Sequence, residues 1–524
     1  MLKAASRTTS YLLCAFALAA CGGGGGDDGG GFNTPPSFQV GGSVSGLTGT
    51  GLVLQNNGGN SLTITANGTF NFSQAVATGS AYNVSVSTQP SNPTQTCTVT
   101  NGSGTVSGAA ITTVNVSCSG QVAKFIYVPN LGSDNVSAYS VNATTGALTA
   151  IAGSPFATEE GPFAMSADRQ GARLFVANRG SFVNPPTVTV FSINATTGAL
   201  TETVDSPSDL STASPPPTNQ IAVGKPNIHP SGTLGYLALG DRLYGATVNA
   251  TTGELTEIAG FPLTLTLTIG FGAFNGAGSF FYVPHGSGGN PGTVTGYSVN
   301  TASGVLTSIG SFATGGGSPT FTMLNPAGNV LLTPNMLSGS VASFRVDQTS
   351  GTLTAAAGSP FSTGANTVPT AVTVHPTKNF VYVTNSNNGQ PSTIAGYQLD
   401  TTTGVLTPIP GSPFGTGGNG AVIASIDPTG KFIYTAHFSA NTIQGFAIDQ
   451  TSGALTAVPG GPFITGMNPF AANIDPSGKY LYSASRGSNT VSSFAINQTS
   501  GALTLINSLP TGTMPGATEL VGLQ

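Results

Sequence analysis

From residue 36 the chain is written in short apolar–polar alternations broken by glycine, asparagine and proline. Phe38-Gln39-Val40, Leu52-Val53-Leu54, Leu62-Thr63-Ile64 and Tyr82-Asn83-Val84-Ser85-Val86 carry the two-residue period of half-buried strands, with Gly/Asn turns between them. About seven such strands over residues 36–120 predict a small β-sandwich, Ig-like or transthyretin-like in general shape.

From residue 124 the pattern repeats. Its marker is an Asx-x-x-x-Gly-x-Leu-Thr segment, with glycines at Gly146, Gly198, Gly253, Gly304, Gly351, Gly404, Gly453 and Gly501. The intervals are 52, 55, 51, 47, 53, 49 and 48 residues. Each glycine lies four residues after Asn142, Asn194, Asn249, Asn300, Asp347, Asp400, Asp449 or Asn497. This predicts a hairpin in which the Asx side chain bonds backbone N–H groups and glycine takes the positive φ. Two further strands precede it, as at Phe432-Ile433-Tyr434, with turns such as Ile426-Asp427-Pro428-Thr429-Gly430.

Four strands per repeat form one blade, and blades bury their faces only by stacking in a ring. Residues 122–524 are therefore expected to be an eight-bladed β-propeller. The array opens on a second strand at Phe125. Pro515-Gly516-Ala517-Thr518-Glu519-Leu520-Val521 matches a first, innermost strand, so the C-terminal strand should complete the opening blade.

Composition sharpens this picture. Charged residues are 6% of the chain and tryptophan is absent. Net charge is −5, with no basic cluster, so nucleic acid is not an expected partner. Among four cysteines and four histidines no spacing suits a metal, and neither metal nor cofactor is expected.

Lys3 and Arg7 precede a short apolar run, Tyr11 to Ala20, which ends in Leu18-Ala19-Ala20-Cys21. This segment resembles the bacterial lipobox. The resemblance implies a signal peptide over residues 1–20, lipidation of Cys21 and anchorage in a membrane through the lipid. Residues 21–35 read as a Gly-rich tether. Gly22 stands where that family's inner-membrane retention signal carries Asp, so the resemblance favours the outer membrane, periplasmic or surface-facing. Cys14 would leave with the signal. Cys97 and Cys118 then form an even pair in an oxidising compartment, and a disulfide is the default reading.

Tyr382-Val383-Thr384-Asn385 spells a YVTN signature. With the Asp-Pro-x-Gly turns and the Gly-x-Leu-Thr hairpins, the array resembles the bacterial lactonase-type propellers, the group containing 6-phosphogluconolactonase-like proteins. The resemblance implies lactone hydrolysis. Relatives commonly have seven blades, and eight copies here depart from that. Active members carry a Gly-Pro-Arg-His segment and a Glu after the next Tyr-Val-x-Asn strand. The matching positions here read Gly161-Pro162-Phe163-Ala164, Val368-Pro369-Thr370-Ala371, Asn468-Pro469-Phe470-Ala471 and Met514-Pro515-Gly516-Ala517. No catalytic residue is carried over.

His229 and His375 precede Pro where other repeats have Asp168, Asn325, Asp427 or Asp475, and read as turn residues. His285 and His437 occupy the second-strand exit, the position of Asn130, Asn178, Asn335 and Asn385, with Leu239 and Ser485 filling the other two copies. One residue per blade makes a polar ring flanked by Arg179 and Arg486. Two readings stand: these side chains cap strand ends and bond neighbouring loops, or they bind a neutral or weakly anionic ligand such as a sugar or sugar acid. Glu519 is expected to bond backbone between blades, and Asp241 and Arg242 to pair at the surface.

The function expected is therefore an envelope-anchored, monomeric binding or scaffold module, with a small molecule or an envelope protein as partner. A divergent lactone hydrolase and a surface adhesion module are the alternatives.

Overall fold

The computed structural model describes residues 35–47, 51–90, 95–120, 123–181, 184–204, 206, 208–209, 224–265, 270–286 and 291–523. The signal peptide, Cys21 and nearly all of the tether lie outside the described residues, as does Pro215-Pro216-Pro217, an insertion in the second repeat.

Residues 37–120 form ten strands rather than the seven expected. The extra ones are short, such as Ser37–Phe38 and Val76–Ala77, and carry no readable period. Two four-stranded sheets face one shared core. One holds Gly68–Asn71, Val40–Ser45, Ile111–Gly120 and Gln95–Thr100 in that order; the other holds Asn60–Ile64, Leu52–Asn56, Ala81–Thr88 and Ser103–Thr105. Val40, Val44, Val114 and Val116 from the first meet Leu52, Leu54 and Val84 from the second. Cys97 and Cys118 are directly opposite on neighbouring strands and are joined by a disulfide.

Among the described residues, those from Ala123 to Leu523 form eight antiparallel sheets with one strand order. The seventh runs Ala421–Ile426, Phe432–His437, Thr442–Ile448, Leu455–Ala457. The burial pattern explains the sequence pattern. All six residues of Phe432–His437 are buried, because neighbouring sheets cover both faces of a second strand. Only the first residue of Leu455–Ala457 is buried, because the fourth strand lies at the rim. Second strands accordingly read as continuous apolar runs, and fourth strands do not.

Each consecutive pair of sheets shares a core. Phe175 of the second meets Leu237 of the third; Phe432 of the seventh meets Leu481 of the eighth. Ile126 and Val128 of the first meet Tyr480 and Tyr482 of the eighth. The first sheet takes its innermost strand from the C-terminus: Glu519–Leu523 pairs antiparallel with Ala123–Asn130, Tyr127 opposite Glu519. The fold is an all-β propeller-type architecture.

The hairpin marker locks the sheets together. Asn142 Oδ1 accepts from the Thr144 and Thr145 amides at 3.0 and 2.9 Å, and Asp449 does the same for Thr451 and Ser452. Gly501 needs to be glycine on two counts: its φ is +75°, and a Cβ would stand 2.5 Å from the Phe432 ring. Its carbonyl accepts from the Tyr434 hydroxyl of the preceding sheet at 2.7 Å. Tyr127, Tyr236, Tyr282 and Tyr382 make the same bond to Gly198, Gly304, Gly351 and Gly453.

His229 and His375 do more than turn the chain. His375 Nδ1 accepts from the Thr377 and Lys378 amides, as a turn Asp would, at 3.2 and 3.0 Å. This fixes the ring proton on Nε2, which donates to the Gly430 carbonyl of the next sheet at 2.9 Å. His229 is placed alike against Ser231 and Gly278. Both imidazoles are buried, and burial lowers both pKa values.

Candidate functional site

The eight residues expected at one repeat position do share a register. Asn130, Asn178, Leu239, His285, Asn335, Asn385, His437 and Ser485 are each the last residue of a second strand. Their depth was not legible. None of the eight is more than 5% exposed. Neighbouring chain lies close over Asn335 and His437: a Cβ on Gly316, near the end of the strand Leu306–Gly317, would stand 2.7 Å from Asn335, and one on Gly418, ahead of Ala421–Ile426, 2.5 Å from His437 Nδ1.

Their hydrogen bonds run within the frame. Asn178 Nδ2 donates to Thr187 and Thr189 hydroxyls at 3.0 and 2.8 Å. Asn385 Nδ2 donates to the Thr363 carbonyl and the Thr393 hydroxyl, and Asn335 Nδ2 to the Thr314 carbonyl and the Ser340 hydroxyl. Asn130 Nδ2 reaches Asn135 Oδ1 and the Ser137 hydroxyl. His285 lies among Thr293 and Thr295, its Nε2 being 2.7 Å from Thr295 Oγ1. His437 Nδ1 is 3.1 Å from Thr442 Oγ1, and burial pushes its pKa down to about 4. The two histidines bond inside their own sheets, so no His–His pair is assembled. At neutral pH His437 is an uncharged imidazole and has lost most of the basicity a general base needs.

Arg179 and Arg486 differ from the ring they follow. Both are partly exposed. Their backbone amides donate to the Gly161 and Asn468 carbonyls, at 2.9 Å each, so both stand at the same register in the second and eighth sheets, on either side of the first. The Arg486 guanidinium lies over the Phe470 ring, 5.0 Å from its centroid.

Glu519 bonds backbone between sheets as expected: Oε1 accepts from the Ala167 amide of the second sheet at 3.1 Å. Lys225, ahead of the third sheet, was not singled out in the sequence; it pairs with Oε2 at 3.0 Å and ties three sheets together. Asp241 and Arg242 form a loose surface pair at 3.8 Å. A cleft of about 380 Å³ between Leu337–Ser340 and the Pro360 to Thr367 stretch also left no mark in the sequence. Among the described residues, no cluster of three or more His, Cys, Asp or Glu side chains could hold a metal ion.

Comparison with known proteins places the architecture. Residues 73–212, 235–360, 356–460 and 426–518 match the lactonase family, described as a seven-bladed β-propeller. The described residues of this chain hold eight such sheets. A periplasmic gluconolactonase of Pseudomonas aeruginosa superposes with a TM-score of 0.52 at 16% identity, covering 76% of this chain and 99% of that one. A Bacteroides uniformis protein described as a 6-phosphogluconolactonase candidate gives 0.52 at 17% identity over 76% and 100%. Its Bacteroides fragilis counterpart gives 0.50 at 17% over 76% and 98%. No curated protein matches the chain. At these identities the structural likeness speaks for fold, and the family match over most of residues 73–518 makes the chain a member of the lactonase β-propeller family.

Proposed function

We propose that the chain is a lactonase-family propeller that works as a binding or scaffold module at the cell envelope. In this reading it is a monomer, anchored through Cys21 in the outer membrane, with its eight sheets closed into one ring. Its ligand is a small sugar or sugar acid, or its partner an envelope protein, met by the loops at the second-strand exits. The observation carrying this reading is the burial of the ring. Asn130, Asn178, Asn335, Asn385, His285 and His437, the polar residues with the best claim to chemistry, are buried and each bonds the frame through a side-chain nitrogen, while the four asparagine Oδ1 atoms and His437 Nε2 are buried without a partner.

Family membership favours a second reading, lactone hydrolysis. Such a reaction needs an activated water, a base and donors for the oxyanion. The test is acid release from a panel of sugar and aromatic lactones by the mature chain, with a His285→Asn/His437→Asn variant as control. That variant carries the residue used at four other ring positions. Turnover by the wild type that the variant loses would establish a hydrolase with an imidazole in its machinery. Equal turnover by both would place the active site elsewhere on the propeller. No turnover by folded protein supports the binding reading.

A further inference from the structure

We propose that Arg179 and Arg486 together seat an oxyanion, a carboxylate or a phosphate monoester borne by a small ligand, above the first sheet on the face where the second strands end. This rests on the binding reading and names the ligand chemistry.

The argument starts from charge. The chain has 13 Lys and Arg among 524 residues, and charged residues are 6% of it. Two of these few cations nevertheless stand at the same register on either side of the first sheet, close enough that Arg179's charge, after burial, lowers the pKa of Arg486. Like charges brought together cost free energy unless an opposite charge answers them. Among the described residues the ion pairs are Arg173–Asp168, Lys225–Glu519 and Arg242–Asp241, and neither arginine takes part.

Asp134 and Glu160, which flank Gly161, bond other groups. Asp134 Oδ1 accepts from the Gly161 amide at 2.8 Å, and Glu160 Oε2 from Asn184 Nδ2 at 2.8 Å. Arg486 Nε is buried without a hydrogen-bond partner. A buried charged donor left unpaired is expensive, and in a functional site it marks where a ligand atom belongs. At the same register the first sheet carries Leu131, which adds no charge between them. A guanidinium presents a planar fork matched to carboxylate and phosphate, and the Phe470 face holds that plane.

The experiment is calorimetric titration of the mature chain at low salt with gluconate, inorganic phosphate and glucose. Saturable one-to-one binding of gluconate or phosphate is expected, and which of the two binds more tightly identifies the oxyanion. Arg179→Gln and Arg486→Gln should each weaken that binding about tenfold or more, the loss expected for one charge-assisted contact. Arg486→Lys keeps the charge without the fork and guards against misfolding; it should weaken gluconate binding at an unchanged melting temperature. Equal anion affinity in wild type and all three variants overturns the proposal, and so does an absence of saturable anion binding to folded wild type. Glucose separates the two levels: glucose binding without anion binding sinks the arginine seat alone, and no binding of any probe sinks it together with the small-molecule form of the binding reading.

Discussion

The Ser493 hydroxyl of the eighth sheet donates to the Gly146 carbonyl of the first at 2.6 Å, across 347 residues of chain. Beside it Asn507 and Leu148 exchange hydrogen bonds, and Tyr139 donates to the Pro510 carbonyl. The first and last repeats therefore meet side by side, and Glu519–Leu523 supplies the first sheet's inner strand. Deleting residues 513–524 removes that strand and bares a long edge. The melting temperature of the propeller is expected to fall by roughly 5 °C or more, since several kcal/mol of strand pairing and core go with it. An unchanged calorimetric transition would show that the end of the chain does not close the ring.

The tyrosine pins give a matched pair of substitutions. Tyr434→Phe leaves the Gly501 carbonyl without its donor and should cost about 1–2 kcal/mol. Tyr482 occupies the corresponding place in the eighth sheet, but its hydroxyl is buried without a partner, because Ser493 already serves the Gly146 carbonyl. Tyr482→Phe should be neutral or mildly stabilising. Denaturant unfolding of the two variants side by side checks the contrast, and equal losses would refute it.

Most of what could be read from the sequence was local, the exception being the C-terminal strand, whose match to a first strand placed it in the opening sheet. Asn142 and Gly146 announce their hairpin because an Asx turn and a positive φ are settled within five residues. The second strands announce themselves because burial on both faces makes them continuously apolar. What could not be read was decided by distant chain. His375 looks like a turn residue from its neighbours, and its bond to Gly430 lies 55 residues away. The strand-end residues look like an open polar rim, and only packing such as that of Gly316, in the strand Leu306–Gly317, over Asn335 shows how deep they lie. Arg179 and Arg486 come to flank one sheet only once the eighth sheet meets the first.

The disulfide belongs to the N-terminal unit alone, joining strands within one core separate from the sheet-to-sheet cores. Its 21-residue separation implies a contribution of about 3 kcal/mol by loop closure. Cys97→Ser/Cys118→Ser, or reduction, should lower the unfolding transition of residues 36–120 and leave the propeller's transition in place. A loss of both transitions together would show that the two units unfold as one.

The buried imidazoles set a pH dependence whose direction follows from linkage. In the unfolded chain His437 titrates near its ordinary value of 6.5; in the fold burial holds it at about 4. Below pH 6.5 the unfolded state therefore binds a proton that the folded state refuses, and stability falls as the pH is lowered. The loss is complete near pH 4, where folded His437 is itself protonated, and amounts to about 3 kcal/mol at most. His229 and His375 are shifted in the same direction, again by burial, and add to the slope. His437→Asn installs the residue found at Asn130, Asn178, Asn335 and Asn385, keeps a side chain able to reach the Thr442 hydroxyl, and removes the titration. The variant should lose less stability than wild type between pH 6.5 and pH 4, while the two run parallel above pH 7. Chemical denaturation at stepped pH measures this directly, and superimposable acid limbs would mean that His437 is not the group being titrated.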